Sequence, residues 1–360
     1  MHLGLMMECE TRLGRTQEDG FDEAFSLAAN AEDWGLDGVW LAERHFSSPE
    51  RISGGAGGGV PSFASAPLIL ASALGARTSK VRIGIAVSVL PLSHPVRLAE
   101  EVATLDHICH GRLDFGIGRS GFATAYAGYG VSYAESRERF QETLDILLAA
   151  WTQPSFSYSG KHYQFEDVCL VPKPYQHPHP PLRIAATTVE TFPTVGEAGY
   201  PIFVGLRGTD VPQTAAYVRE YRAAWRSAGH AGDGDVYLRI PVYVGADAES
   251  ALEEPRASTL SSYKRLAQSY ANSATSQGAK MAEERAERGE RLASADYDEL
   301  LRNRLAYGTA DQVAARLRDI GSELGLSGFI IEPNVGGGIP RDLVFASVQR
   351  FARDVAPQLR

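Results

Sequence analysis

Three groupings in this chain bring together side chains able to do chemistry. Glu43-Arg44-His45-Phe46 closes a short apolar run and sets a carboxylate, a permanent cation and an imidazole on consecutive residues. Imidazole can move a proton near neutrality, whereas guanidinium stays charged and can only steer an anion or stabilise negative charge. Thr187-Thr188-x-x-Thr191 presents hydroxyls where an apolar run gives way to a helical pattern. Hydroxyls beside the free N–H groups of a helix start suit a phosphate, and the same spacing fits plain N-capping by Thr188. Arg119-Ser120 supplies a guanidinium, whose charge-assisted hydrogen bonds hold phosphate oxygens well. Ser88 and Glu332 are further polar residues at the ends of apolar runs. The nine histidines follow no metal-ligand spacing: His107-x-x-His110 lies at a helix end and His177-Pro-His179 in a proline-rich loop. No metal is expected.

These groups come from distant parts of the chain, so their value depends on what positions them. Ser79–Gly121 reads as strand, loop, helix, strand, loop. Lys80–Val89 is an apolar, β-branched run suited to a buried parallel strand, and His94-Pro95 opens a helix, since proline fits the first turn. Val96, Ala99, Val102, Leu105 and Ile108 give that helix one apolar stripe, Gly111 closes it, and Leu113–Ile117 is the next strand. The same alternation runs along the chain, with strands expected at Met1–Met7, Gly38–Ala42, Leu182–Ala186, Ile202–Val204, Val236–Val244 and Ser327–Ile331. Helices are expected at Phe21–Trp34, Phe63–Ala76, Ala134–Trp151, Thr188–Gly199, Val211–Ala228, from Ala248, at Thr309–Leu324 and at Arg341–Val355. Eight strands alternating with helices, in one composition regime, predict an α/β chain folded as a single (β/α)8 TIM barrel over 1–360. A hairpin between Phe156 and Phe165 marks a side insertion near 152–181. Ser276–Leu292 is dense in both charges and reads as a solvated surface helix, within a segment near 262–297 that could instead form a lid.

In such a barrel the site forms at the carboxyl ends of the strands, which brings Glu43, Arg44, His45, Ser88, Arg119, Thr187, Thr188 and Glu332 to one rim. That placement, with arginine near, favours phosphate over capping for the threonines. The net charge of −9 argues against nucleic-acid or anionic-membrane surfaces as partners. The first residues, MHLGLMMECE, carry acids where a signal peptide needs basic residues, and no apolar run approaches the roughly 20 residues of a membrane span. Three scattered cysteines suit a reducing cytoplasm and no disulfide framework.

The motifs LP-x-x-HP-x-R-x-AE, LD-x-x-x-x-GR and FGI in Ser79–Gly121, with VWLAERHF, Ser136-Arg137, IAATTVETFPTVGEAGYP and YGT at Tyr307–Thr309, resemble the bacterial luciferase-like flavin-dependent monooxygenases over nearly the full length. The resemblance implies FMN, reduced elsewhere and bound across the barrel mouth as FMNH2. It implies flavin contacts at Glu43, at Ala86-Val87 (a non-proline cis bond in relatives), and at Arg119, Arg137, Thr187, Thr188 and Thr191. Arg137 alone reads as a solvated helix residue, and only the resemblance raises it. The implied reaction inserts one oxygen of O2 into a small organic substrate through a C4a-(hydro)peroxyflavin. Reduced flavin would come from a separate flavin reductase, because no nicotinamide fingerprint is present. The resemblance also implies a homodimer, and Gly54–Gly59 and Ser262–Leu292 are candidate covers for the site.

Three positions depart from the family pattern. Arg44 stands where luciferases carry a catalytic histidine, so Arg44 and His45 are the candidate catalytic residues, with His45 either a catalyst or a structural histidine. Gly118 replaces a cysteine, which would leave room beside the flavin, and Thr187 replaces a carboxylate beside the phosphate. Light emission from long-chain aldehydes is therefore not expected. Two other readings keep the fold: hydride transfer with deazaflavin F420, which should need more basic residues at the mouth that are not evident in the sequence, or a non-catalytic flavin-holding subunit.

Overall fold

The computed structural model describes residues 1–11, 14–47, 61–274 and 279–360. Gly54–Gly59, expected as a cover, lies outside the described residues, as does part of the 262–292 segment. The strands are β1 (His2–Met7), β2 (Gly38–Leu41), β3 (Arg82–Val89), β4 (Leu113–Gly118), β5 (Phe156–Ser159), β6 (Gln164–Val168), β7 (Leu182–Ala185), β8 (Ile202–Gly205), β9 (Val236–Val244), β10 (Ala306–Gly308) and β11 (Gly328–Glu332). Eight of them close a parallel barrel in the order β1-β2-β3-β4-β7-β8-β9-β11, with β11 returning to β1. The expected barrel is therefore the observed one. β5 and β6 form the expected side hairpin, and β10 adds to β9 outside the barrel.

Successive residues of a strand point to opposite faces, so every second residue enters the barrel. The outer faces pack against the helices in one core that includes Leu3, Leu5, Val39, Leu41, Ile83, Ile85, Phe115 and Ile117. The inner faces supply a separate cluster of Met6, Trp40, Ala42, Ala86, Phe203, Tyr237 and Ile330. Trp40 fills the barrel so completely that only glycine fits beside it. A Cβ on Gly4 would stand 2.6 Å from its indole nitrogen, and one on Gly84 would stand 2.2 Å from the ring. This plug is the floor on which the upper end is built.

Most helices lie where the periodicity places them, among them Pro95–Ile108, Ser136–Thr152, Val211–Ser227 and Ala310–Leu324. Differences cluster where the pattern is weak. Ile108, expected on the buried stripe, is 37% exposed because the helix ends there at the Cys109 cap. The short helices Ala123–Gly128 and Tyr297–Asn303 and strand β10 were not anticipated, being too brief to show a period. The helix expected over Thr188–Gly199 occupies only Thr191–Glu197.

The largest difference is the charged helix. Ala279–Ser294 lies along Ala248–Ala274, and one face of it is buried through Arg288, Gly289 and Leu292. Leu292 joins Tyr263, Leu266, Ala267, Tyr297, Leu300, Leu305 and Val335 in a second small core. The buried face went unread because an arginine and a glycine make most of it. No helix among the described residues is long and apolar enough to cross a membrane.

At the lower end of the barrel, Trp40 Nε1 donates to His2 Nε2 at 3.2 Å, and His2 stacks on Tyr237 at 5.0 Å. Burial, opposed by Asp114 and Asp37, lowers His2 from the ordinary 6.5 to about 4. The unfolded chain therefore takes up a proton first, and His2 contributes stability that is lost as pH falls from the unfolded value toward the folded one. Urea unfolding at about pH 7 and about pH 5 should show stability falling in the parent and falling less in His2→Gln, which keeps an acceptor that does not titrate. Equal falls in both proteins would contradict this assignment.

Candidate active site

Above the Trp40 plug the barrel opens into a cavity of about 730 Å³, within the range usual for small-molecule sites. Its wall includes Glu43, Arg44, Ala86, Val87, Arg119, Arg137, Thr187, Thr188 and Thr191. Of the residues anticipated at the rim, all line this cavity except His45 and Ser88, both of which bond Glu43 instead.

One side of the mouth, at the ends of β4 and β7, carries the hydroxyls and guanidiniums. Arg119 directly follows β4. Its guanidinium donates to Ser136 Oγ at 3.2 Å, and its carbonyl accepts from the Tyr126 hydroxyl. Tyr126, on the unanticipated helix Ala123–Gly128, thus fixes the backbone from which Arg119 projects. Thr188 Oγ1 and Thr191 Oγ1 share a hydrogen bond of 2.8 Å, and Thr188 does not cap the helix, whose first turn has no side-chain cap. Arg137 projects from the first turn of Ser136–Thr152. From above, Arg288 donates to the Thr187 carbonyl at 3.1 Å and is held by Glu284 at 2.5 Å, and Arg285 also lines the cavity. The charged helix therefore brings two arginines to this side.

Between the two sides lies β3. Its pairing with β4 slips between Ile85 and Ser88, and the Ala86–Val87 peptide within the slip is cis. Gly118 faces it, but the space a side chain would take there is filled, since a Cβ would stand 2.7 Å from Val87 Cγ2. Glycine at this position serves contact with Val87 and does not open a gap.

Glu43 accepts from the Val89 N–H at 3.0 Å and the Ser88 hydroxyl at 3.2 Å with one oxygen, and meets His45 Nε2 at 2.9 Å with the other. His45 Nδ1 lies 3.2 Å from the Tyr129 hydroxyl, and its ring packs edge-on to Tyr129 at 4.9 Å. His45 stands against Glu43 with its side chain only 7% exposed and does not line the cavity.

The opposite side of the mouth holds an ion array. Glu8, just past β1, accepts from Arg44 Nε at 2.9 Å and Nη2 at 2.7 Å, and also from Arg239 of β9. Glu332, at the end of β11, accepts from Arg239 Nε at 2.8 Å and Arg207 Nη2 at 2.5 Å. Burial alone would raise the carboxyl of Glu8, but Arg239, Arg44 and Arg207 overcome it and hold the group well below the usual range. Glu332 is likewise held down by Arg207 and Arg239 against burial. Glu8, Arg207 and Arg239 were not anticipated. A usable signal existed in VYLRIPVYV, where a lone arginine in an apolar strand must face the barrel interior and find a carboxylate.

Residues 1–328 match the sequence profile of the family described as luciferase-like monooxygenase. Over 174 residues the chain is 29% identical to the oxygenase component of the flavin-dependent trigonelline monooxygenase of Acinetobacter baylyi, which covers 48% of this chain and 45% of that protein. The chain spans about half the length of the curated relatives it matches. Among solved structures, a monooxygenase from Streptomyces bottropensis superimposes with a TM-score of 0.78 at 23% identity, covering 100% of both chains. The FMN complex of the oxygenating constituent of 3,6-diketocamphane monooxygenase from Pseudomonas putida has a TM-score of 0.78 at 20% identity, covering 99% of this chain and 98% of that one.

The ion array makes the mouth sensitive to removal of one partner. Glu8→Gln leaves Arg44 and part of Arg239 buried without their counter-charge and should cost about 3–5 kcal/mol of unfolding free energy in urea. A loss below about 1 kcal/mol, the scale of an exposed pair, would show that the array does not hold the mouth together.

Proposed function

The chain belongs to the luciferase-like monooxygenase family, and from that premise we propose that it is the oxygenating member of a two-component system. In this reading it takes FMNH2 from a separate flavin reductase and uses O2 to oxidise a small organic substrate. The observation that carries the reading is the division of one cavity. Hydroxyls and guanidiniums stand together at β4 and β7, and the ion array gathers at β1, β2, β9 and β11 with Arg207 after β8.

The residues present fit FMN. Arg119, Arg137 and the hydroxyls of Thr187, Thr188 and Thr191 would hold its phosphate by charge-assisted hydrogen bonds. Ala86 and Val87, small and flush with the wall, would support the ring system, and Glu43 would accept from it. Bound reduced flavin supplies the electrons that activate O2. The protein's own work is to hold that group, orient the substrate and exclude water. Phe122, Leu266 and Tyr270 close the upper wall for that purpose. Arg44 acts as a fixed cation toward an oxygen of the substrate or of activated O2, because a guanidinium cannot pass a proton. His45 acts through Glu43, and we place it as a positioning residue. We read the chain as a cytoplasmic homodimer; its cysteines, two buried and one exposed, are unpaired.

A second reading, hydride transfer with deazaflavin F420, is favoured by Arg285 and Arg288, the additional basic residues at the mouth that its anionic tail would need. Titration of the protein with each cofactor by calorimetry separates the two. We expect FMN to bind, and Arg119→Ala to weaken it by about ten- to a hundred-fold, as one charge-assisted contact is worth. Rapid mixing of the FMNH2-loaded protein with O2 should give a transient absorbance near that of oxidised flavin before full reoxidation. F420 binding without FMN binding would overturn the monooxygenase reading in favour of the second.

A further inference from the structure

The ion array is more than a brace, because its charges do not cancel and its two signs are not equally accessible. Three guanidiniums, Arg44, Arg207 and Arg239, meet two carboxylates, Glu8 and Glu332, which leaves one net positive charge. The carboxylate side chains are 1% and 2% exposed, whereas those of Arg44 and Arg207 are 17% and 20% exposed, and both arginines line the cavity. The cations are therefore the more accessible sign: Glu8 lies behind them, and Glu332, which also lines the cavity, is covered by Arg207 and Arg239. The guanidiniums of Arg44 and Arg207 approach the same oxygen, Glu8 Oε1, at 2.7 and 3.7 Å, so they stand side by side.

Their hydrogen-bonding capacity is also incompletely used. Arg44 spends Nε and Nη2 on Glu8, and Arg207 spends Nη2 on Glu332. Among the described residues, Arg44 Nη1 and Arg207 Nε and Nη1 donate to no protein group. Arg265, from the helix Ala248–Ala274, adds its field to the same place, and burial together with Arg207 pushes its own guanidinium below the ordinary range. Of the acids lining this side, Glu332 is engaged by Arg207 and Arg239, and Glu43 by Ser88, Val89 and His45.

The position in the barrel separates this pole from the phosphate side. Its members come from β1, β2, β8, β9 and β11 or the loops just after them, and Arg119 and the threonines from the ends of β4 and β7. Arg207 is the member nearest the phosphate side, since β8 pairs with β7, and a molecule bound here would lie from Arg207 toward Arg44, off the ends of β4 and β7. We propose that the substrate carries a carboxylate, held by the free forks of Arg44 and Arg207, which Glu8 and Glu332 keep fixed in orientation. Planar guanidiniums with parallel N–H groups match the two oxygens of a carboxylate, and one unbalanced positive charge matches one negative charge. The proposal rests on the reading of this cavity as the place where a small molecule is oxidised, and it adds that molecule's class.

The test uses benzoate and its uncharged isostere benzamide as probes, titrated calorimetrically into the 360-residue chain with and without FMN. Benzoate should bind about ten-fold or more tightly than benzamide, and Arg207→Gln should remove that preference. Arg44→Lys, which keeps a cation beside Glu8 but not the fork, should reduce it as well, and circular dichroism of both variants identifies a folding defect so that only a folded variant decides the matter. Equal binding of the two probes, or a preference untouched in both variants, overturns the proposal. So does an Arg207→Gln protein that still prefers benzoate but shifts the midpoint potential of bound FMN, since the pole would then serve the reduced flavin's own negative charge. Absence of heat on adding FMN to the parent protein counts against the flavin reading alone, because the carboxylate preference is read equally well without it.

Discussion

Glu8 and Glu332 are ionised carboxylates with almost no exposed surface, and the mouth of the barrel keeps its shape because three guanidiniums close over them. Desolvating two acids would cost several kcal/mol each if they stood alone. The cost is offset only because each oxygen faces an arginine at hydrogen-bonding distance, and because those arginines come from separate strands. The array therefore ties β1, β2, β8, β9 and β11 together above the Trp40 plug. A core of apolar residues of equal volume could hold the strands as firmly. It could not present fixed positive charge to a cavity, which is the functional consequence of building this layer from ions.

The floor and the walls follow from one periodicity. Along β1 the inward positions are His2, Gly4 and Met6, continuing to Glu8; along β9 they include Tyr237 and Arg239. Each step of two residues rises one layer, from the His2–Trp40–Tyr237 base, through the packed plug, to the ion array. Glycines at 4 and 84 give Trp40 its space, and Trp40 is fully buried there. Another sector rises to hydroxyls at the ends of β4 and β7, so the cavity has two poles of distinct chemistry, with β3 between them on one side and the β7–β8 pair joining them on the other.

Much of this was legible in the amino-acid order. Runs such as VYLRIPVYV and RIGIAVSV are strands because β-branched residues on both faces suit a doubly covered parallel sheet, and the barrel follows from their alternation with helices. Glu43, Arg44, Arg119 and the threonines could be placed at one rim by the strand-end rule alone. The partner of Arg44 could not, because Glu8 meets Arg44, and Arg239 meets Glu8, only when distant strands assemble, with sequence separations of 36 and 231. The role of the charged helix escaped for a different reason. Its inward face is an arginine, a glycine and a leucine, and such a face carries little apolar signal even though Arg288 reaches the Thr187 carbonyl. His45 illustrates the remaining limit, since its residue type allows a proton shuttle, whereas its contacts with Glu43 and Tyr129, away from the cavity lining, depend on the folded chain.

The central claim is that the two poles divide the work, with phosphate at β4 and β7 and the oxidised molecule's anion at the ion array. A crystal structure of the FMN complex tests it most directly. The account predicts phosphate oxygens about 3 Å from the Arg119 guanidinium and the Thr188 hydroxyl, with Arg44 and Arg207 clear of the phosphate. A phosphate seated on Arg44 and Arg207, or a cavity that holds no FMN, would contradict it.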